Sequence, residues 1–235
     1  MASSTSPSKS KPKKPTPAPV KFYLVLYNLV SAAGWSYLLF RTLTHLFASG
    51  TGTGTETLLA RARTAYESTG AATRAVQSLA ALEVLHVLLG WVRSPLGTTA
   101  AQVASRLFLV WGVLEQFVEV RTNPLYASML LSWSLTEVIR YSFYACALLG
   151  HEPRALLFLR YTTFYVLYPT GASSEALLIY ATLPLSTGRA WQVLDCGRAL
   201  LFGIWWPGLY VMYTYMMAQR RKVLGKGKGK GAKAN

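Results

Sequence analysis

Apolar residues dominate six long stretches of this 235-residue chain, and short polar turns separate the stretches. The first is free of charge from residue 22 to residue 40, close to the ~20 residues that a helix needs to cross the hydrocarbon core of a bilayer. The turns at 93–97 and 123–124 contain proline, which ends helices. The pattern predicts an all-α integral membrane protein with six transmembrane helices, the fifth of them interrupted at 168–171. The predicted spans are residues 20–46, 73–92, 98–118, 125–149, 155–183 and 199–218, and a short polar helix is predicted near 58–67.

Charge is scarce in these stretches and concentrated near the two ends of the chain. Only 14% of the residues are charged, against about 25% in a soluble domain. All ten lysines, with Arg220 and Arg221, supply +12 of the net +15 at the ends. Basic residues that flank apolar spans mark the cytosolic side and attract anionic lipids. We therefore expect both termini in the cytosol, a disordered basic arm at 1–19, a transmembrane domain at 20–218 and a disordered basic tail at 219–235. Membrane lipids, and not nucleic acid, are the expected partners.

Seven ionisable residues lie well inside the predicted spans, away from the span ends, where each costs roughly 2.5–3.5 kcal/mol. Such residues must face the bundle interior, and they are functional candidates for that reason. Glu137 and Arg140 are three residues apart, so we expect them to pair on one helix face. Since four carboxylates meet three guanidinium groups, at least one carboxylate is expected to lack a full partner. The seven are Glu83, Arg106, Glu115, Glu137, Arg140, Arg160 and Glu175.

Glu175 is the carboxylate that we expect to be available for proton transfer, because a tyrosine is spaced to share its face. Tyr168 precedes it by seven residues, nearly two helical turns. The two positions are about 10 Å apart along an unbroken helix, too far to serve adjacent carbons. Pro169 and Gly171 predict a kink that brings the side chains together. The spacing alone fits a structural role equally well, with an interfacial tyrosine, a proline kink and a glutamate bonded to a neighbouring helix.

The sequence at 159–180 is LRYTTFYVLYPTGASSEALLIY. It resembles the signature of the very-long-chain (3R)-3-hydroxyacyl-CoA dehydratase family, also called the protein-tyrosine-phosphatase-like A family. Segments at 23–39, 82–113 and 133–144 are similar to the family as well, in the same order. A YPxGxxxE string on an apolar span is specific. The resemblance covers nearly all of the membrane region and leaves out the tails and the first polar loop.

The resemblance implies an enzyme of the endoplasmic-reticulum membrane, a hydro-lyase that converts (3R)-3-hydroxyacyl-CoA to trans-2-enoyl-CoA. This reaction is the third step of each cycle of very-long-chain fatty-acid elongation. The implied partners are the 3-hydroxyacyl-CoA substrate and the condensing enzyme, ketoacyl reductase and enoyl reductase of the cycle. The catalytic tyrosine and glutamate of the family map onto Tyr168 and Glu175. Family positions that support activity map onto Arg160, Gly171, Arg106 and Arg140.

Dehydration requires removal of the C2 proton and protonation of the departing C3 hydroxyl. We expect Glu175 to be the base and Tyr168 the proton donor. The reverse assignment fits the sequence too, as does one group moving both protons while the other orients the substrate. No metal or redox cofactor is expected, because the reaction needs none and no ligand cluster is present. Arg93 and Arg154, on predicted cytosolic turns, are candidates for the CoA phosphates, although basic residues at helix ends also anchor to lipid headgroups.

Phosphatase activity is excluded despite the second name of the family. A thiolate phosphatase needs a cysteine nucleophile followed by an arginine that holds the phosphate; Arg93 occupies the arginine position, but His86 and Val87 supply no nucleophile. Cys146 and Cys196 are expected to be free thiols near opposite membrane faces. Two readings without catalysis stay open: a membrane scaffold for elongation partners or lipids, and a small transporter gated by the broken fifth span. A scaffold would tolerate loss of the tyrosine–glutamate pair.

Overall fold

The computed structural model describes residues 17–47, 57–187 and 189–225, and within these ranges the protein is helical and has no strand. The all-α prediction is confirmed. Most of the predicted tails lie outside the described residues, but residues 219–225, which were expected to belong to the C-terminal tail, are helical. The elements are α1 (Ala18–Phe47), α2 (Leu58–Ser78), α3 (Ala81–Leu88), α4 (Leu96–Leu107) with a π-helical continuation called here the π segment (Phe108–Leu114), α5 (Val118–Arg121), α6 (Leu125–Leu148), α7 (Arg154–Arg160), α8 (Phe164–Ala181), α9 (Pro184–Thr187) and α10 (Val193–Gly225).

The centre of the bundle is the antiparallel pair α1 and α6. The rings of Trp35 and Trp133 meet edge to face at 6.4 Å near the middle of both helices. Tyr27, nearer the start of α1, meets Tyr141, nearer the end of α6, at 6.0 Å. Within the described ranges, successive helices pack along this axis as α1, α2 with α3, α4 with the π segment, α6, α7 with α8, and α10.

Helix α8 lies between α6 and α10. The hydroxyls of Thr170 and Ser132 are 3.0 Å apart, and Ser174 donates to Ser128 at 3.0 Å. A Cβ atom at Gly171 would lie 3.3 Å from the Cβ of Ser132, so the missing side chain permits this close approach. The small residues therefore set the distance between α6 and α8.

Contacts between α8 and α10 fix the direction of the last pass. Arg220, near the end of α10, lies 5.4 Å over the ring of Tyr165 at the start of α8. Tyr180, at the end of α8, meets Phe202 near the start of α10 at 5.4 Å. Because α8 is antiparallel to α6 and α10 is antiparallel to α8, α10 ends at the same end of the bundle at which α1 begins.

Two helix breaks differ from the predicted ones. Helix α2 runs unbroken to Ser78, past the break expected between 67 and 73, and the chain turns at 79–80. In the fifth pass the break falls at 161–163, between α7 and α8. The interruption predicted at 168–171 is wrong, since α8 continues through Pro169. Proline removes one hydrogen bond, and packing against α6 holds the helix together beyond it.

The surface differs from that of a soluble protein, since large apolar side chains such as Phe22 and Val211 are 72% and 61% exposed. The core is mainly apolar and also encloses polar groups such as Thr42 and Glu137, which are 0% and 2% exposed. Among the described helices, α1 is long and apolar enough to cross a membrane by length and composition. The other passes are divided into shorter helices or contain the polar groups of the interior. An apolar outer surface suits contact with lipid.

Candidate active site

A chain of ion pairs crosses the interior of the bundle. Glu137 on α6 accepts hydrogen bonds from Arg106 of α4 on one oxygen and from Arg140 Nε, at 2.6 Å, on the other. Arg140 also donates to both oxygens of Glu83 on α3, at 2.8 and 3.0 Å. The predicted pair of Glu137 and Arg140 is confirmed, and it belongs to a network that joins α3, α4 and α6.

Glu115 has arginine partners too, Arg74 at 2.7 Å and Arg121 at 3.5 Å. Glu83, Glu115 and Glu137 therefore each pair with a guanidinium group. In the described ranges Glu175 forms no such pair. One of the four carboxylates was predicted to lack a full partner because carboxylates outnumber guanidinium groups, and Glu175 is that carboxylate.

Two indole N–H groups hold the carboxylate of Glu175 instead. Trp133 Nε1 on α6 donates to Glu175 Oε1 at 2.6 Å, and Trp205 Nε1 on α10 donates to Oε2 at 3.2 Å. An indole can only donate, so both carboxylate oxygens act as acceptors here. This arrangement suits an ionised carboxylate whose orientation is fixed by the helices on either side of α8.

Tyr168 lies half-buried on α8, seven residues before Glu175 and on the same face of the helix. Because α8 is unbroken, the Tyr168 and Glu175 backbones are about 10 Å apart along the helix axis. The predicted convergence by a break in the helix does not occur. A substrate that lies along this face, between the phenol and the carboxylate, would contact both groups.

Arg106 brings a positive charge to the same place from α4. Its guanidinium carbon lies 5.0 Å from the centre of the Trp133 ring, while the N–H of that ring bonds to Glu175. Arg106 also interacts electrostatically with Glu175 although it pairs with Glu137. A fixed guanidinium beside the tyrosine and the glutamate can stabilise negative charge that develops on a substrate.

The other two predicted supporting residues act on the helices rather than at the tyrosine and glutamate. Arg160 lies at the end of α7, before the break at 161–163, and donates to the hydroxyl of Tyr144 on α6 at 2.9 Å. Its hydrogen bond thus joins α7 to α6 and does not reach Tyr168. Gly171 lies at the α6–α8 contact, on the helix turn between Tyr168 and Glu175.

The two arginines considered for the CoA phosphates lie together at one end of the bundle. Arg93 is exposed in the turn after α3, and Arg154 is exposed at the start of α7. The α3 end is placed beside the start of α1 by the 3.0 Å contact between Tyr23 and His86. Since α6 is antiparallel to α1 and α7 follows α6, Arg154 belongs to this end as well.

The two tryptophans at Glu175 were missed by sequence reasoning. Trp133 precedes Glu137 by four residues, so both project from one face of α6, and this spacing was an available signal that Trp133 faces the polar interior. Trp205 has no comparable signal, because its partner lies on another helix. The two cysteines are free, as predicted.

Known proteins are similar to this chain over the residues that form these helices and the site. The family model described as “Protein tyrosine phosphatase-like protein, PTPLA” matches residues 77–226. PASTICCINO 2 of Arabidopsis thaliana, a very-long-chain (3R)-3-hydroxyacyl-CoA dehydratase, is 40% identical over 88% of this chain and 95% of its own length. The dehydratase hpo-8 of Caenorhabditis elegans is 42% identical over 90% of this chain and 98% of its own. A probable dehydratase of Schizosaccharomyces pombe is 43% identical over 86% and 92%.

No solved structure matched the chain. The relatives are named as dehydratases, and they confirm the prediction that the protein is an enzyme, a hydro-lyase. With a matching family model over most of its length and relatives that align with nearly the whole of it, the chain belongs to the protein tyrosine phosphatase-like (PTPLA) family of very-long-chain (3R)-3-hydroxyacyl-CoA dehydratases.

Proposed function

We propose that this protein removes water from (3R)-3-hydroxyacyl-CoA to form trans-2-enoyl-CoA, the third step of each very-long-chain elongation cycle. The observation that carries the proposal is that Tyr168 and Glu175 share one face of α8 and that Arg106 lies over Trp133, whose indole bonds to Glu175. The names of the relatives supply the substrate class.

In the proposed mechanism Glu175 takes the C2 proton, which the thioester makes acidic, and the C2–H electron pair forms the C2=C3 bond. The C3–O bond breaks, and the Tyr168 hydroxyl donates its proton to the departing oxygen, which leaves as water. The released water then relays the proton from the glutamic acid to the tyrosine oxygen, which restores both groups. Two N–H donors on the Glu175 carboxylate support its role as the base, because they favour the ionised form.

Arg106 acts in this mechanism by stabilising negative charge on the thioester oxygen while the C2 proton departs. Arg140 positions Arg106 indirectly, because both arginines bond to the same carboxylate, that of Glu137. Gly171 lets α8 approach α6, and Arg160 fixes α7 beside Tyr144. These three are positioning residues.

The CoA phosphates bind in this proposal at the end of the bundle where α1 begins, at the exposed Arg93 and Arg154. A basic, hydrated surface suits phosphate, since guanidinium groups bind it through two parallel hydrogen bonds. The acyl chain then enters the bundle past Tyr168 and continues past Glu175, because the start of α8 lies at that end. The C2–C3 bond must lie across this direction for C2 to face Glu175 and C3 to face Tyr168.

The protein would cross the endoplasmic-reticulum membrane six times, with 20–218 as the transmembrane catalytic domain and both termini in the cytosol. Support comes from the six antiparallel passes, the apolar outer surface and the lysines at the chain ends. Product and substrate would pass between this enzyme and the condensing enzyme, ketoacyl reductase and enoyl reductase of the same membrane.

The proposal is tested with purified Glu175→Gln and Tyr168→Phe variants and 3-hydroxypalmitoyl-CoA as substrate. Each variant should lose about 10²–10⁴-fold in kcat, the usual contribution of a positioned acid or base. Matched controls are Glu119→Gln, at an exposed glutamate, and Tyr180→Phe, at a tyrosine near the end of α8. A folded Glu175→Gln or Tyr168→Phe variant with turnover near that of its control would overturn the assigned role of that residue, and absence of turnover by the wild type itself would favour a scaffold.

A further inference from the structure

A cleft of about 840 Å³ lies between the π segment and the beginning of α10. Its walls are largely apolar: Phe108 and Phe117 line one side, and Leu200 and Leu201 line the other. The proposed mechanism makes no use of this cleft, because none of its lining residues belongs to the tyrosine–glutamate pair.

Both walls of the cleft start close to the proposed active site. On α10, Leu201 is four residues before Trp205, so the two project from one face about 6 Å apart along the axis. Trp205 is the residue that donates to Glu175 Oε2. On the other wall, Phe108 begins the π segment two residues after Arg106, in the same pass but on another face of the helix. The α10 wall of the cleft is thus about one helical turn from Trp205, which contacts Glu175.

The cleft also lies on the correct side of Glu175 to follow the substrate. Tyr168 is nearer the start of α8, which faces the end of α10 through the contact of Arg220 with Tyr165. The cleft faces the beginning of α10, beyond Glu175. A chain that enters past Tyr168 and continues past Glu175 thus arrives at the cleft.

A cluster of charged residues marks the far end of the cleft. Arg189 donates to both oxygens of Asp195, at 2.5 and 2.7 Å, and Arg198 donates to the same carboxylate. Arg198 also lies 4.6 Å over the ring of Phe117, and Arg189 donates to the carbonyl of Thr182 at 3.1 Å. The cluster thus ties the loop before α10 to the residues around it, and its two arginines form part of the lining.

We propose, on the basis of the dehydratase function above, that this cleft binds the methyl end of the acyl chain and that the Arg189–Asp195–Arg198 cluster limits chain length. Hydrocarbon gains free energy along the apolar walls. It gains none against guanidinium groups, whose desolvation is costly. The chain length that fits is set by the distance from Glu175 to the cluster.

Gly197 offers a direct test, because it lines the cleft and a Cβ atom built there meets nothing within 4 Å. A Gly197→Leu side chain would enter the cleft without displacing packed atoms. The matched control is Gly203→Leu, on the same helix at an exposed glycine with the same open space and outside the cleft lining. Both substitutions change helix propensity equally, so a difference between them reports on the cleft.

Purified wild type and variants are assayed with the CoA esters of 3-hydroxydecanoic, 3-hydroxypalmitic and 3-hydroxylignoceric acid. Gly197→Leu should lower kcat/KM for the longest substrate about tenfold or more, as expected when even one methylene no longer fits a pocket. The shortest substrate should be turned over as by wild type, and Gly203→Leu should leave all three unchanged. Leu201→Phe, which narrows the same cleft, replaces Gly197→Leu if that variant does not fold.

An unchanged ratio of long-chain to short-chain activity in folded Gly197→Leu would overturn the chain-length proposal. An equal loss at all lengths in both glycine variants would overturn it as well. Neither result touches the dehydratase function, which fails only if wild type produces no enoyl-CoA from any of the three substrates.

Discussion

We expect the hydrogen bond from the Trp133 indole N–H to Glu175 to contribute to catalysis as much free energy as a typical hydrogen bond to a charged group. Trp133 is 2% exposed and donates to Glu175 Oε1 at 2.6 Å, the shorter of the two bonds to this carboxylate. Trp133→Phe keeps an aromatic ring beneath Arg106 and removes the donor. The Glu175 carboxylate would then be held only by the longer bond from Trp205.

The size of the effect follows from the strength of that bond. A hydrogen bond to a charged group contributes about 1.5–3 kcal/mol, and 1.36 kcal/mol corresponds to a tenfold change in rate. We therefore expect kcat to fall roughly ten- to a hundredfold in Trp133→Phe. KM should change little, because the indole orients the base and does not contact the acyl chain in the proposed mechanism.

The control is Trp111→Phe. Trp111 is an exposed tryptophan of the π segment whose Nε1 donates to Ser78 at 3.1 Å, away from Glu175. The two variants lose the same chemical group, so the ratio of their kcat values isolates the role of the bond to Glu175. Thermal unfolding in detergent shows whether both variants are folded.

A double-mutant cycle with Glu175→Gln distinguishes orientation of the base from a general loss of packing. If Trp133 acts through the carboxylate, its substitution should change the residual activity of Glu175→Gln far less than that of wild type. Equal fold-losses in both backgrounds would refute the reasoning, and so would full activity in Trp133→Phe.

Three further predictions concern stability, each followed by thermal unfolding in detergent. Gly171→Val should destabilise the protein by about 1–3 kcal/mol through overpacking against Ser132, and an unchanged melting temperature would contradict it. Arg140→Gln leaves two buried carboxylates short of a partner and should cost about 3–5 kcal/mol; a smaller loss than in an Arg93→Gln control would be inconsistent with that. Asp195 lies outside the proposed crossing at 199–218. Hydrogen bonds from Arg189 hold the pKa of its carboxyl group below the usual range. Asp195→Asn should therefore be less stable than wild type at neutral pH, and the difference should shrink only as pH falls below the unfolded value of about 3.9.

Helix ends with strong local signals were predictable. The fourth span was expected at 125–149 and is observed as Leu125–Leu148, because Pro124 precedes it and Gly150 follows it with a positive φ of 86°. The first was expected at 20–46 and is Ala18–Phe47. In both cases residues next to the helix determine where it ends.

The misplaced breaks have a different origin. The small and polar residues at 68–72 resembled a boundary, but α2 continues through them, and Thr69 among them contacts the hydroxyl of Tyr126, 57 positions away. Pro169 resembled a break, but packing of α8 on α6 overrides its local preference. Such features depend on contacts between distant segments, which hydrophobic periodicity does not contain.

The candidate site was likewise predictable where local sequence determined it and not where distant contacts did. Counting carboxylates against guanidinium groups was enough to expect one without an arginine, and the YPxGxxxE string indicated Glu175. Its partners Trp133 and Trp205 lie on two other helices, 42 and 30 positions away. Only the packing of α6, α8 and α10 identifies them.

The π segment has a consequence for how this region can change in evolution or by design. A π-helical stretch contains residues in excess of the regular α-helical repeat, so deleting one within Phe108–Leu114 would let the backbone relax to ordinary helix. Because the wider π turn already absorbs the extra residue, everything beyond the deletion would keep nearly its present direction relative to Arg106. Glu115 would still face Arg74, and the wall of the cleft would still face α10. This stretch can therefore lose one residue without turning the segment that follows, whereas the same deletion in the regular helix α4 would rotate everything beyond it by about 100°.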